Sequence, residues 1–257
     1  MQTSILPARR GPRWLVEGFT IFRHRPTLLG FLVLGYWLSM AVISAIPLVG
    51  QPVSFLLIPA FSVSMMNACR LIDRKEEPPP QVLFSGFHHN LQTLLVLGVV
   101  YILATLVVLG LSAAFDGGVL FRMLVMGEAP VRESLDQTAV LISAQLSAVL
   151  LIPLMLAFWF APVLAAWHDM SAGKSLFFSL MACLRNWRSF LLYFLAVIAV
   201  ALIVPRLIDG LLGAGQNASP LVATVITVTV SLILLPTLYA SFYVSYRDIF
   251  IDTRNAF

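Results

Sequence analysis

The sequence predicts an all-α, polytopic membrane helix bundle, with six transmembrane helices arranged as three parallel hairpin repeats joined by interfacial amphipathic helices. Three observations predict it. Of the 257 residues, 60% are hydrophobic and 11% charged, where soluble chains carry roughly 25% charged residues. Six apolar runs, at 27–49, 52–71, 91–113, 139–165, 187–209 and 219–245, reach about the 20 residues that a helix needs to cross a bilayer. The strings Leu56-Leu57-Ile58-Pro59, Leu150-Leu151-Ile152-Pro153 and Ile233-Leu234-Leu235-Pro236 each lie in the second run of a pair, and each is followed by an aspartate, Asp73, Asp169 or Asp248, near basic residues or histidine. Such self-similarity marks duplicated supersecondary units.

Each unit has the same order of parts. The first opens on an amphipathic stretch in which Trp14, Leu15, Gly18, Phe19 and Phe22 follow helical spacing opposite Arg13, Glu17, Thr20 and His24. That pattern suits a helix lying among headgroups, and Trp14, Phe19 and Phe22 are expected to insert there. The second copy is the short stretch Val82 to Phe87 after Pro78-Pro79-Pro80, and the third runs from Lys174 to Leu184. Polar breaks at Arg25-Pro26, His89-Asn90 and Arg185-Asn186 then start the first span of each hairpin, since proline at the first helical position and asparagine at the cap favour helix starts. Strand alternation is absent from runs such as Leu94 to Leu111, which excludes a barrel.

The repeat units are 12–74, 80–170 and 173–249 of a single membrane domain, 1–257. Two spans per unit bring every copy in from the same side, so a pseudo-axis along the membrane normal relates them. The second unit carries an insertion, Ala114 to Gln137, whose middle, Val119 to Met126, reads either as a short helix on the far surface or as a loop. Basic residues set the orientation. Thirteen of the 16 lysines and arginines fall on the side of the termini, and only Arg122, Arg132 and Arg206 on the other. Both termini are therefore expected in the cytoplasm.

Candidate chemistry is sparse. No ionisable residue lies near the middle of a span, where function in membrane proteins is usually marked; Arg206 and Asp209 end the fifth span one turn apart. His24, His88, His89 and His168 map to the border and lack the fixed spacing of a metal site. Cys69 and Cys183 form no paired motif. Phosphate-cradling and nucleophile-elbow motifs are absent. No catalytic residue, cofactor or metal is expected. Pro59, Pro153, Pro162 and Pro236 interrupt spans and are expected to kink or unwind them, around a cavity or within an inert bundle. Asp73, Asp169 and Asp248 end spans, where the first two can cap the next interfacial helix. Trp159 is the tryptophan that does not fit an interfacial belt.

Pro7-Ala8-Arg9-Arg10-Gly11-Pro12-Arg13-Trp14-Leu15 with Phe19 and Phe22-Arg23, and Phe160-Ala161-Pro162-Val163-Leu164 leading to His168-Asp169, Ser175 to Ser179 and Arg185-Asn186-Trp187, resemble an uncharacterised family of bacterial six-span inner-membrane proteins. The second stretch is distantly similar to the membrane domain of some glycerophosphodiester phosphodiesterases, whose catalytic barrel has no counterpart here, so the resemblance brings no hydrolase activity. It implies a multi-pass protein of the bacterial inner membrane. The expected role is a non-enzymatic scaffold or accessory protein binding membrane lipids or a membrane-protein partner, and not nucleic acid; the alternative is a small-molecule or lipid transporter or channel-like protein.

Overall fold

The computed structural model describes residues 2–127, 137–211 and 220–251. Six helices are long and apolar enough to span a membrane: Pro26–Ser44, Gly50–Asp73, Leu91–Asp116, Thr138–His168, Trp187–Val204 and Val228–Ile249. They coincide with the six runs of the sequence. Helix α1 is Arg10–His24, α2 Pro26–Ser44 and α3 Gly50–Asp73. A 3-10 segment, Pro80–His88, precedes α4, Leu91–Asp116. Beyond a short α5, Val119–Phe121, and a π turn, Arg122–Met126, follow α6, Gln137–Trp159, and α7, Ala161–His168. Helices α8, Ala172–Arg185, α9, Trp187–Leu211, and α10, Pro220–Ile249, complete the chain. Residues 2–3 (β1) pair antiparallel with 250–251 (β2), and Ser4 N–H donates to the Ile249 carbonyl, which places both described chain ends at one end of the bundle.

The three short border elements lie where the sequence places them. Each packs chiefly on the second span of the unit before it in cyclic order: α1 on α10, the 3-10 segment on α3, and α8 on α6 and α7. The crossings are close. Gly18 faces the Ser241 backbone, Gly86 faces Ala60 and donates its N–H to Ser64 Oγ at 2.9 Å, and Ser179 Oγ joins the Leu156 carbonyl and the Phe160 N–H, each at 2.9 Å. Small residues at these points let backbones approach where no hydrophobic force acts between helices in lipid.

Pro162 marks a break as expected, whereas the three recurring prolines do not unwind their spans. Pro59, Pro153 and Pro236 sit inside helices that run on through them. The break comes at Phe160, where α6 ends and α7 restarts with Pro162 in its first turn. The freed Phe160 N–H is not orphaned, because Ser179 Oγ takes it, as a buried backbone donor requires. The asparagines of the breaks also differ from simple caps. Asn90 stands in a left-handed conformation before α4 and donates Nδ2 to the Ala165 carbonyl at 3.0 Å. Asn186 accepts from Leu6 N–H and donates to the Ser4 carbonyl, tying the N-terminal segment to the start of α9.

At the far end, Asp116 accepts the N–H groups of Gly118 and Leu120 and so holds the turn into α5. Val119 to Met126 is thus helical, while the remainder of the insertion up to 136 lies outside the described residues, as does the Asp209 side chain.

Candidate functional site

The space between the second spans is a cavity of about 500 Å³. Helix α6 packs mainly on α4 and α8 and so stands off α3, α9 and α10, leaving the volume between them. Its wall takes Phe55, Ile58, Pro59 and Ser62 from α3, Met155, Phe158 and Trp159 from α6, Pro162 from α7, and further apolar and aromatic residues of α4, α9 and α10. Two of the hydroxyls on that wall are paired: the Tyr193 hydroxyl and Ser241 Oγ lie 2.7 Å apart, and Tyr239 hydrogen-bonds Tyr36. Trp159 Nε1 is buried with no acceptor among the described residues. Phe55 and Met155 remain 47% and 49% exposed at the rim.

Of the three recurring prolines, Pro59 lines this cavity, Pro236 is buried beside its wall residue Leu235, and Pro153 is exposed away from it. Pro162 takes the lining position in the middle unit because it opens α7 directly under the break.

A second constellation ties the terminal end together. Arg10 Nε donates to Asp248, Trp14 Nε1 donates to the same carboxylate at 3.0 Å, and Arg10 Nη1 meets Glu17 at 2.7 Å. Arg247 bridges Glu17 at 2.8 Å and both oxygens of Asp73, which also accepts from the Tyr243 hydroxyl at 3.0 Å. The hydrogen bond that Arg10 donates to Asp248 is the largest influence raising the Arg10 pKa above its ordinary value. The partners are partly exposed, so each pair is worth about 0.2–1 kcal/mol; the network fixes register among α1, α3 and α10 more than it adds stability.

Asp73 is a salt-bridge acceptor instead of a cap, and Asp248 is a salt-bridge acceptor as well. Asp169 is an exposed left-handed residue after α7, and Ser171, not Asp169, precedes α8 without a side-chain cap bond. Trp14 is fully buried among Phe190 and Tyr193 instead of in lipid, and Phe22 is 7% exposed, leaving Phe19, 41% exposed with Arg23 over its ring, as the outward aromatic of α1. Turned inward, Trp14 meets Asp248 through its indole N–H. Among the described residues no group of three or more His, Cys, Asp or Glu is placed to hold a metal.

The chain is 35% identical over 257 residues to a probable inner membrane protein of Burkholderia thailandensis, an alignment covering 97% of this chain and 94% of that protein. The chain belongs to that protein's family. No family model and no solved structure matches it. With six spanning helices and this relative, it is a multi-pass integral protein of the inner membrane.

Proposed function

We propose that the chain is a non-enzymatic scaffold or accessory protein of the inner membrane that holds the acyl portion of a membrane lipid in the cavity between α3, α6 and α10. One observation carries this reading: the cavity wall is aromatic and aliphatic. Its volume of about 500 Å³ falls within the roughly 300–1,000 Å³ of ligand sites. A lining of this kind offers dispersion contacts to a hydrocarbon chain and little to a hydrated solute. Both termini are proposed to face the cytoplasm, supported by the thirteen-to-three split of basic residues. The cyclic order in which border elements pack on second spans supports a pseudo-threefold relation among the three units.

The test uses the full chain in neutral detergent, reconstituted with phospholipid brominated along the acyl chain. Bromine quenches Trp159 when a chain enters the cavity, read as the difference between the wild type and Trp159→Phe. Val197→Trp narrows the cavity and is expected to lower the retention of lipid measured by native mass spectrometry. Equal retention by the filled variant, with no Trp159-dependent quenching, would overturn the reading. Orientation is checked with reporter fusions at either end, and an external C-terminus would reverse it.

A further inference from the structure

A separate groove of about 820 Å³ lies at the terminal end, between the last turns of α3, the 3-10 segment and the end of α7. Its wall is basic. Arg70 enters from α3 and Arg74 from the residue just past it, His88 and His89 from the end of the 3-10 segment and the residue after it, and Asp169 supplies the carboxylate among its lining residues. Nearby Asp73 is occupied by Arg247 and Tyr243, and Glu77 pairs with Arg25.

The arrangement is built, not merely basic. Asn67 Nδ2 donates to Ser85 Oγ at 2.8 Å, and Trp167 Nε1 donates to Asn67 Oδ1 at 2.7 Å, so α3, the 3-10 segment and α7 are locked across the groove. The fixed indole carries the Arg70 guanidinium 4.7 Å from its ring centroid. The cation–π contact holds the guanidinium at the groove wall, and among the described residues Arg70 forms no salt bridge. Attraction to the partial negative charge at the end of α3 explains basic residues there, but not the indole platform or the two histidines opposite.

We propose that this groove binds a phosphate-bearing anion, taken by the fork of Arg70 with Arg74 and the histidines around it. Guanidinium groups match phosphate geometry bidentately. Basic pockets between helices at a cytoplasmic border suit the headgroup of an anionic phospholipid; that assignment of source rests on the orientation proposed above, whereas the anion site itself does not. It is also independent of the acyl cavity, since bromine quenching at Trp159 reads the cavity alone.

The experiment follows the melting midpoint of delipidated full-length protein in neutral micelles during titration with dioleoyl phosphatidylglycerol, dioleoyl phosphatidylcholine or sodium phosphate. Phosphatidylglycerol is expected to stabilise saturably and phosphatidylcholine not to. Arg74→Gln, at an exposed position, should weaken the apparent affinity about fivefold, from roughly 1 kcal/mol per basic residue. Arg70→Lys keeps the charge and loses the fork, and should weaken it further. If Arg70 variants fail to fold, Arg74→Gln and the double variant His88→Gln/His89→Gln give the same reading. Stabilisation by sodium phosphate with the same arginine dependence would support the site and name a soluble phosphate as its source. Equal responses to the two lipids without any to phosphate, or titrations unchanged by these variants, would overturn the proposal.

Discussion

Replacing Gly18 by alanine tests whether α1 is a packed part of the bundle. A Cβ at that position would lie 2.5 Å from the Ser241 nitrogen, 2.7 Å from its Cα and 2.8 Å from its Cβ. Two of these three atoms are α10 backbone and cannot rotate away. Carbon atoms settle at about 3.5–4.0 Å, so α1 must retreat by about 1 Å. Trp14 lies one turn away on the same face, and its 3.0 Å bond to Asp248 would stretch with that movement. Overpacking of this kind costs about 1–3 kcal/mol. Alanine also returns about 1 kcal/mol of helix propensity, so the net loss is about 0–2 kcal/mol.

Gly30→Ala supplies the reference, because a Cβ there meets nothing within 4 Å. It gains the propensity without the clash. In detergent, Gly18→Ala should melt up to roughly 8 °C below the wild type and Gly30→Ala above it, so that the two differ by at least about 2 °C. Equal midpoints for the two variants would refute the close crossing of α1 and α10. Helix α1 would then be a lipid-lying anchor, as its amphipathic pattern alone suggests.

Gly86→Ala, whose Cβ would lie 2.0 Å from the Ala60 carbonyl oxygen, should destabilise at least as much in the same melting assay; a neutral result would separate this crossing from that of α1 and weaken the threefold relation. Trp14→Phe keeps the buried ring and removes the donor to Asp248, and is expected to cost about 1.5 kcal/mol; an unchanged midpoint would show the bond to be idle. Burial pushes the Cys183 thiol up, so raising the pH through the ordinary thiol range of about 8–9 should not increase N-ethylmaleimide labelling of folded protein, as read by intact mass. The folded state keeps this proton where the unfolded chain loses it, so the contribution of Cys183 to stability is full below that range and declines above it; labelling that rises as for a free thiol would contradict the burial.

The spans were legible because length and hydropathy act locally: a run such as Leu91–Asp116 has to satisfy its backbone within itself to enter lipid. Border elements were legible for the same reason, down to Pro26 at the first position of α2. What joins them was not. Arg247 and Asp73 are 174 positions apart, and Trp167 and Asn67 are 100 apart. Nothing in either neighbourhood announces the other. Asp73 and Asp169 therefore read as caps, the role that local sequence offers them. The histidines of the groove read as isolated border residues, because the 3-10 segment that brings His88 and His89 opposite Arg70 is placed by packing, not by spacing. The cavity was half visible: prolines in the second spans flagged the region, but Pro162 rather than Pro153 reaches it, because the chain breaks one residue before α7.

Trp14 shows where pattern reading has two solutions and which residue separates them. An amphipathic helix at a membrane border can turn its aromatic face to lipid or to protein, and the spacing of Trp14, Leu15 and Phe22 is the same in both cases. Glycine breaks the tie. A helix lying in headgroups gains nothing from glycine on its apolar face and loses about 1 kcal/mol per position relative to alanine. Helix α1 nevertheless has Gly11 and Gly18 on the stripe that carries Trp14. A Cβ at Gly11 would come 2.0 Å from the Ser189 carbonyl oxygen on α9, and one at Gly18 would press on Ser241 of α10. Two glycines a heptad apart thus let α1 settle into the groove between two spans, and Trp14, midway between them, is carried into the core, where Asp248 can take its indole N–H. The same reasoning marks Gly86 in the 3-10 segment, whose apolar neighbours Val82 and Phe87 would otherwise pass for lipid anchors. Small residues on an aromatic border stripe therefore report docking onto protein, and Phe19, which lies off that glycine line, is the side chain left to face outward.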